Sequence, residues 1–370
     1  MQERHRAFAP SRRSFLKSVS AGTIATVVPA GHPGFSLEAA PAHDQSAYTG
    51  RGVSSVRLNR ALLPIQRKAG VVVVGGSLAG VASALEFGRA GRRVVVVEHR
   101  MYLGREISAT LKPWVNLGRL AGGGRTPQLI AATLKKQKTP EIAGEIPLWM
   151  DAFKVTLENL LLEAGVEIVY AALPVGVIVR NGSACGVVIA NKSGRQVLLG
   201  RTVLDATATA LVARMAGAEF APETDDDFHF TRTVEMEGVG RLEDSRIGVP
   251  AELGIAGDTL TVHSGYRGDG HVLIECPMHL KAGKLDLEGM MQREIEARHR
   301  TMLVAAYLVQ NAPGFKEAKL AICAYELDGP QTTRLAGPEP DCAAEVRDLN
   351  LNFTDKNQVA LGLPLRSFAG

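Results

Sequence analysis

Gly75, Gly76, Ser77, Ala79 and Gly80 follow directly on the apolar run Val71–Val74, and Glu98 follows directly on a second apolar run, Val94–Val97. Residue types in this order can grip a dinucleotide. Gly75 lets the chain turn tightly off a strand, and Gly80 lets a helix pack close to the sheet. The free N–H groups and positive end of that helix then face a diphosphate. Glu98 lies 23 residues after Gly75, at the reach needed to accept hydrogen bonds from the ribose hydroxyls of an adenosine. The middle glycine of G-x-G-x-x-G is Ser77 here. A serine is small and can itself donate to a phosphate. An ordinary strand–helix–strand unit whose glycines only make a tight turn leaves Glu98 unexplained.

Several elements must position these residues. Val81, Ala84, Leu85 and Gly88 recur at helical spacing and predict a helix facing the sheet, ended by Gly91 in a left-handed turn. The loop Met101–Thr110 follows, then a flexible Gly122-Gly123-Gly124 stretch closed by Arg125. Helical patterns cover about 127–137 and 150–164. A three-stranded meander is expected from Val175–Val179, Ala184–Ala190 and Gln196–Leu199, with Asn181-Gly182 as a two-residue hairpin signal. Thr202-Val203-Leu204 reads as a separate short strand ending at Asp205-Ala206-Thr207-Ala208. Beyond Phe220 the character changes: strand-like runs at Thr231–Glu237, Thr259–Val262 and His271–Cys276 precede a long helix from about Leu287 to Gln310, with Asp286 as its N-cap. Pro313-Gly314 stops it.

The 370 residues suffice for two domains of about 100–200 residues each. The net charge of +4 is concentrated at one end: residues 1–42 hold five Lys/Arg against two acids. The near-neutral remainder argues against nucleic acid or an anionic membrane as partner. Ser11-Arg12-Arg13-Ser14-Phe15-Leu16-Lys17, the weakly apolar stretch Val19–Ala30 and the small residues Ala40-Pro41-Ala42 resemble a twin-arginine export signal. That implies the twin-arginine export machinery as a partner and a periplasmic or extracytoplasmic location. The apolar stretch is too short and too interrupted for a stable membrane span. Cys185, Cys276, Cys323 and Cys342 lie far apart with no C-x-x-C pair, which argues against a zinc or iron–sulfur site; no metal is expected. An oxidising compartment would permit a disulfide, with the pairing left open.

Four pieces, VVVVGGSLAGVASAL, VVEHRMYLGREISATL, LLLEAGVEIVY with the meander ending in VLDATATALVARMAGA, and DGPQTTRLAG, resemble the large group of two-domain FAD-dependent oxidoreductases that includes the flavin subunit of heterodisulfide reductase. The resemblance spans roughly residues 70–337. It implies an α/β fold: a Rossmann-like FAD-binding domain with a three-stranded β-meander, plus a β-rich α+β substrate domain. The expected boundaries are a signal at 1–42, a linker at 43–67, a discontinuous FAD-binding domain at 68–220, a substrate domain at 221–335 and a C-terminal segment at 336–370. By the resemblance, Gly75, Gly76, Ser77, Ala79 and Gly80 form the diphosphate loop, and Glu98 is the ribose acid. His99 and Arg100 flank the adenosine, and Gly104 and Arg105 run beside the flavin end. Val175 meets the adenine through its backbone. Asp205, Ala206, Thr207 and Ala208 form the turn that returns the chain under FAD. The family's glycine in that turn is Ala208 here, which narrows the backbone approach.

Family chains also carry a third FAD segment beyond the point where this sequence ends, at Gly370. Two readings stay open: a truncated or split product, or a flavin held by fewer contacts. Arg105 is the candidate for chemistry near the flavin, where a cation favours the reduced anionic ring and clamps an acidic small-molecule substrate. His229, His263, His271 and His279 are candidate proton donors in the substrate domain. Asp225-Asp226-Asp227 reads as a solvated turn, Arg293, Arg298 and Arg300 as the exposed face of the long helix. Thr332-Thr333-Arg334 resembles a family position near the active site. The function expected is an exported FAD-dependent oxidoreductase. The alternatives are an inactive flavoprotein fragment and an NAD-binding dehydrogenase.

Overall fold

The continuous apolar runs become adjacent parallel strands, as expected of strands covered on both faces. A computed structural model describes residues 62–116, 125–137, 145–220, 227–281 and 287–329. The chain divides into two units, Met1–Leu63 and Pro64–Gly370. The architecture below is that of the second. The export motif at 11–17, Asp225, Asp226, Asp286, Thr332-Thr333-Arg334 and Cys342 lie outside the described residues.

Strand β1 (Ile65–Val74) leads into helix α1 (Leu78–Arg89), and β2 (Val94–Val97) returns beside it with Val71 opposite Val94 and Val74 opposite Val97. A short helix α2 (Arg105–Ser108) follows, then β3 (Trp114–Asn116), α3 (Arg125–Gln137) and β4 (Glu145–Pro147). Helix α4 (Met150–Glu163) leads to β5 (Glu167–Val169), parallel to β2. The meander is β6 (Leu173–Arg180), β7 (Ser183–Asn191) and β8 (Gly194–Asp205), with Asn181 and Gly182 both at positive φ in its first turn. The first sheet has the order β5-β2-β1-β8-β7-β6. Val71, Val73, Val94 and Val96 pack with α1 and α4. Val72, Val74, Val95 and Val97 pack with Val187, Ile189 and Leu198 of the meander.

Two expectations are corrected here. β1 begins at Ile65, inside the stretch read as linker, because its first half pairs with the meander end of β8. The third meander strand and the Thr202–Leu204 strand are one continuous β8. The chain is not broken at Gly200, where a Cβ would stand 2.9 Å from the Val72 side chain; the glycine serves close approach instead.

Helix α5 (Leu211–Met215) closes the first half. The second sheet is antiparallel, ordered β10-β11-β12-β9-β13. Its strands are β9 (Asp227–Glu237), β10 (Arg246–Gly248), β11 (Thr259–Ser264), β12 (Val272–Lys281) and β13 (Lys319–Cys323). Helix α6 (Leu287–Asn311) lays Ala297, Val304 and Leu308 on the face that carries Val234, Met236, Ile274 and Cys276. The other face carries Leu273, which joins Tyr266 and Ala324 in the core of the first half, so that face of the second sheet packs into the first half's core. Arg298 is exposed as expected of a solvent face. Arg300 instead reaches the Gly254 carbonyl at 2.9 Å, and Arg293 stacks over Phe230. No described helix is long and apolar enough to cross a membrane.

Candidate active site and nucleotide cleft

The turn after β1 is fixed by main-chain contact. Gly75 has φ +106°, and a Cβ on it would lie 2.4 Å from the Ala206 carbonyl oxygen; a Cβ on Gly80 would lie 2.0 Å from the Gly75 carbonyl oxygen. Neither contact leaves room for any side chain. Ser77 has a different role from the one its position suggested. Its hydroxyl donates to the Ala206 carbonyl (3.0 Å) and accepts from the Gly80 N–H (3.1 Å), so it caps α1 and ties the loop to the end of β8 rather than pointing a donor at a phosphate. Ala79 sits in the first turn of α1.

Glu98 is 3% exposed. One carboxylate oxygen accepts from the Gly76 N–H at 2.6 Å; the other accepts from the Arg100 N–H at 2.9 Å and from Arg100 Nη1 and His99 Nδ1. Burial alone would raise its pKa. The hydrogen bonds from His99, Arg100 and Gly76, with the Arg100 charge, outweigh that and hold it at about 2. Gly104 donates its N–H to the Gly76 carbonyl at 2.8 Å, placing Arg105 at the start of α2. Burial works against the Arg105 charge, but Glu106 and Glu326 overcome it and push its pKa up.

Sequence reasoning missed both acids. Glu106 accepts from the Leu78 N–H at 3.1 Å, at the N-terminus of α1. Glu326, just after β13, accepts from Arg105 Nε at 3.0 Å and from the Arg100 guanidinium. Glu106 had a signal in its place beside Arg105. Glu326 is 221 residues from Arg105 and had none.

The Asp205 turn holds itself together. The Asp205 carboxylate accepts from the Thr207 N–H, the Thr207 hydroxyl and the Ala213 N–H, and Thr207 accepts from the Leu211 N–H. Ala208 is not among the non-glycine residues at positive φ; Ala210 takes the left-handed conformation in this turn, with φ 48°. Replacing the family's glycine therefore costs no backbone strain at Ala208.

These elements surround a cavity of about 480 Å³. Gly75, Ser77, Glu98, His99, Arg100, Arg105, Ala206, Thr207 and Ala208 line it, and Gly76, Ala79, Gly80, Gly104 and Asp205 do not. At the β6 end the lining residues are Leu173 and Pro174. Val175 falls in a register shift of β6 and is 42% exposed outside the lining. From the second half come Phe230, Met290, Glu294, Glu326, Leu327 and Gly329.

None of His229, His263, His271 and His279 lines that cavity. His263 has Glu145 at 2.9 Å from one ring nitrogen and Glu275 at 3.1 Å from the other, with its ring stacked on Trp114 at 3.6 Å. Burial would raise the Glu275 pKa, but the His263 hydrogen bond and the Lys112 charge lower it. Lys112 pairs with Asp328. His271 lies 3.3 Å from Glu235, and His229 and His279 face each other across β9 and β12. Among the described residues no group of three or more His, Cys, Asp or Glu could hold a metal ion. Cys185, Cys276 and Cys323 are free thiols.

A family model described as FAD dependent oxidoreductase matches residues 70–338. Among solved structures, the chain is similar to a geranylgeranyl bacteriochlorophyll reductase-like protein from Thermoplasma acidophilum, at 17% identity and TM-score 0.52 over 74% of this chain and 69% of that one. It is also similar to a flavoprotein/dehydrogenase from Cytophaga hutchinsonii, at 15% identity and TM-score 0.47 over 71% of this chain and 68% of that one. An aromatic hydroxylase from angucycline biosynthesis matches at 16% identity and TM-score 0.46, over 72% of this chain but only 53% of its own length. No curated protein sequence matches.

Proposed function

Because the chain belongs to the FAD-dependent oxidoreductase family, we propose that it passes hydride or electrons between a small-molecule substrate and its flavin outside the cytoplasm. FAD is the cofactor and, when bound, supplies the redox chemistry. The residues fit it. The Gly75 and Gly80 cradle, which a single Cβ would fill, opens on the N-terminus of α1, where a diphosphate is favoured. The main chain of Gly75, Ser77 and the first turn of α1 would hold the diphosphate, Glu98 the ribose, and Leu173 and Pro174 would wall the adenine end. Arg100 and Arg105 supply positive charge along the same cavity. The observation that carries this reading is that one cavity is lined both by this loop and by residues of the second half, so a group lying on the loop extends toward the second sheet.

The proposed substrate is a small molecule, and an acidic one is favoured by Arg105. The resemblance to the flavin subunit of heterodisulfide reductase rests on the sequence pieces alone. Export rests on the Ser11–Lys17 motif and on the habit of that pathway of carrying folded, cofactor-loaded proteins. The full chain, purified, is expected to be yellow with flavin absorbance. A colourless protein that takes up no added FAD would overturn the cofactor assignment. Export is tested separately: Arg12→Lys with Arg13→Lys should leave the precursor in the cytoplasm of a host with twin-arginine translocation, and unchanged export would remove that part of the proposal.

A further inference from the structure

Around the N-terminus of α1 acids and arginines alternate. Glu98 takes the Gly76 N–H, Arg100 bridges Glu98 and Glu326, Arg105 pairs with Glu326, and Glu106 takes the Leu78 N–H. Both guanidiniums are thus already paired with carboxylates at the place where a diphosphate must enter. Adding the negative charges of a diphosphate beside Glu98 and Glu326 is unfavourable unless a carboxylate leaves or is neutralised.

The three acids differ in their freedom to leave. Glu98 is 3% exposed, and both of its oxygens hold main-chain N–H groups. Glu106 is partly buried and accepts from the Leu78 N–H. Glu326 is 28% exposed and lines the cavity, and among the described residues only arginine side chains reach its oxygens. Its main chain stays anchored, the Glu326 N–H donating to the Ala109 carbonyl at 3.1 Å. The carboxylate can therefore swing out while the backbone stays in place.

From this we infer that Glu326 is a resident counter-ion for Arg100 and Arg105, displaced when the diphosphate of FAD binds. It keeps two partly buried cations compensated in the empty cleft and releases them to the cofactor. The inference rests on the assignment of FAD to this cleft. It also makes the contact between the end of the second sheet and the nucleotide loop responsive to cofactor occupancy, since the ion pairs that Glu326 makes with Arg100 and Arg105 would exist only in the empty form.

The test titrates full-length apoprotein with FAD, ADP and adenosine, and melts each form. Glu326→Gln removes the competing charge at constant shape. It should tighten FAD and ADP binding roughly tenfold, the equivalent of one charge-assisted hydrogen bond lost from the empty state. Adenosine affinity should not change. The variant apoprotein should melt lower than wild type, while the two FAD-saturated proteins melt alike. Glu326→Asp, too short to span both arginines, should shift binding in the same direction by less. Unchanged or weaker FAD binding by Glu326→Gln, or a holoprotein destabilised as much as the apoprotein, overturns the inference. Failure of the wild type to bind FAD strikes instead at the cofactor assignment.

Discussion

At the nucleotide loop the tolerances are set by main-chain atoms. Gly80 sits against the Gly75 carbonyl and Gly75 against the Ala206 carbonyl, and the backbone N–H groups of Gly76 and Leu78 each find a carboxylate. On the front of the second sheet the order comes from side chains: His263 between Glu145 and Glu275 on Trp114, and Lys112 on Asp328. The first arrangement fails all at once, because backbone cannot step aside for a Cβ. The second should degrade in steps, since long side chains can turn and water can replace one partner. A binding loop built from backbone is thus sensitive to a single methyl group, whereas a polar cluster of side chains is sensitive mainly to unpaired charge.

The largest effect that could break this contrast is at the loop. Gly80→Val should cost about 3 kcal/mol of unfolding free energy and abolish FAD binding, because the overpacked helix must leave the sheet. Urea unfolding and flavin absorbance would measure it; a variant that stays yellow and stable ends the backbone account. Next is Glu98→Gln, expected to cost on the order of 3 kcal/mol at neutral pH, because the buried charge that the Gly76 and Arg100 N–H groups, His99 and Arg100 all hold is lost, while Arg100 keeps only Glu326. The sign of the pH effect follows from the lowered pKa. The Glu98 carboxyl sits at about 2 in the fold against 4.5 unperturbed, so its stabilisation is complete above pH 4.5 and is lost as pH falls toward 2. Wild type should lose stability through that window and the variant should lose less. His263→Leu should cost about 1–2 kcal/mol, because Glu145 and Glu275 lose their shared partner, and leave FAD affinity unchanged. A change in FAD affinity would show that the two regions are not independent. Smallest is Arg298→Ala, whose exposed pair with Glu294 at 3.6 Å should contribute under about 0.5 kcal/mol by thermal melting.

The same contrast governs what the sequence made legible. The strand, loop, helix, second strand and acid all lie between Val71 and Arg100, so their spacing is their geometry. The meander was equally local, marked by Asn181-Gly182. A serine at position 77 can donate to a phosphate, but its hydroxyl turns to Ala206, 129 residues away, which nothing nearby in sequence announces. Glu145 meets His263 across 118 residues, and Glu326 meets Arg100 across 226. Such partners are chosen by the fold and carry no spacing signal. Strands β3, β4 and β10 have three residues each, too few for a period of two to register. The Gln196–Leu199 and Thr202–Leu204 strands read as two because no residue pattern announces that β8 runs on through Gly200, whose lack of a side chain serves the close approach of Val72.

Strand β8 has a consequence for the order in which the protein is made. The floor of the nucleotide loop is not in the first strand–helix–strand unit at all: it is the Ala206 carbonyl, at the far end of β8, against which Gly75 lies and to which Ser77 is tied. A nascent chain that has delivered Val71–Arg100 therefore carries a recognisable motif with no working cleft. At about 5–20 residues per second of synthesis, the more than one hundred residues separating Arg100 from Ala206 leave a delay of many seconds before cofactor can settle. Loading with FAD is thereby confined to a late stage of the chain's emergence, after the meander has formed.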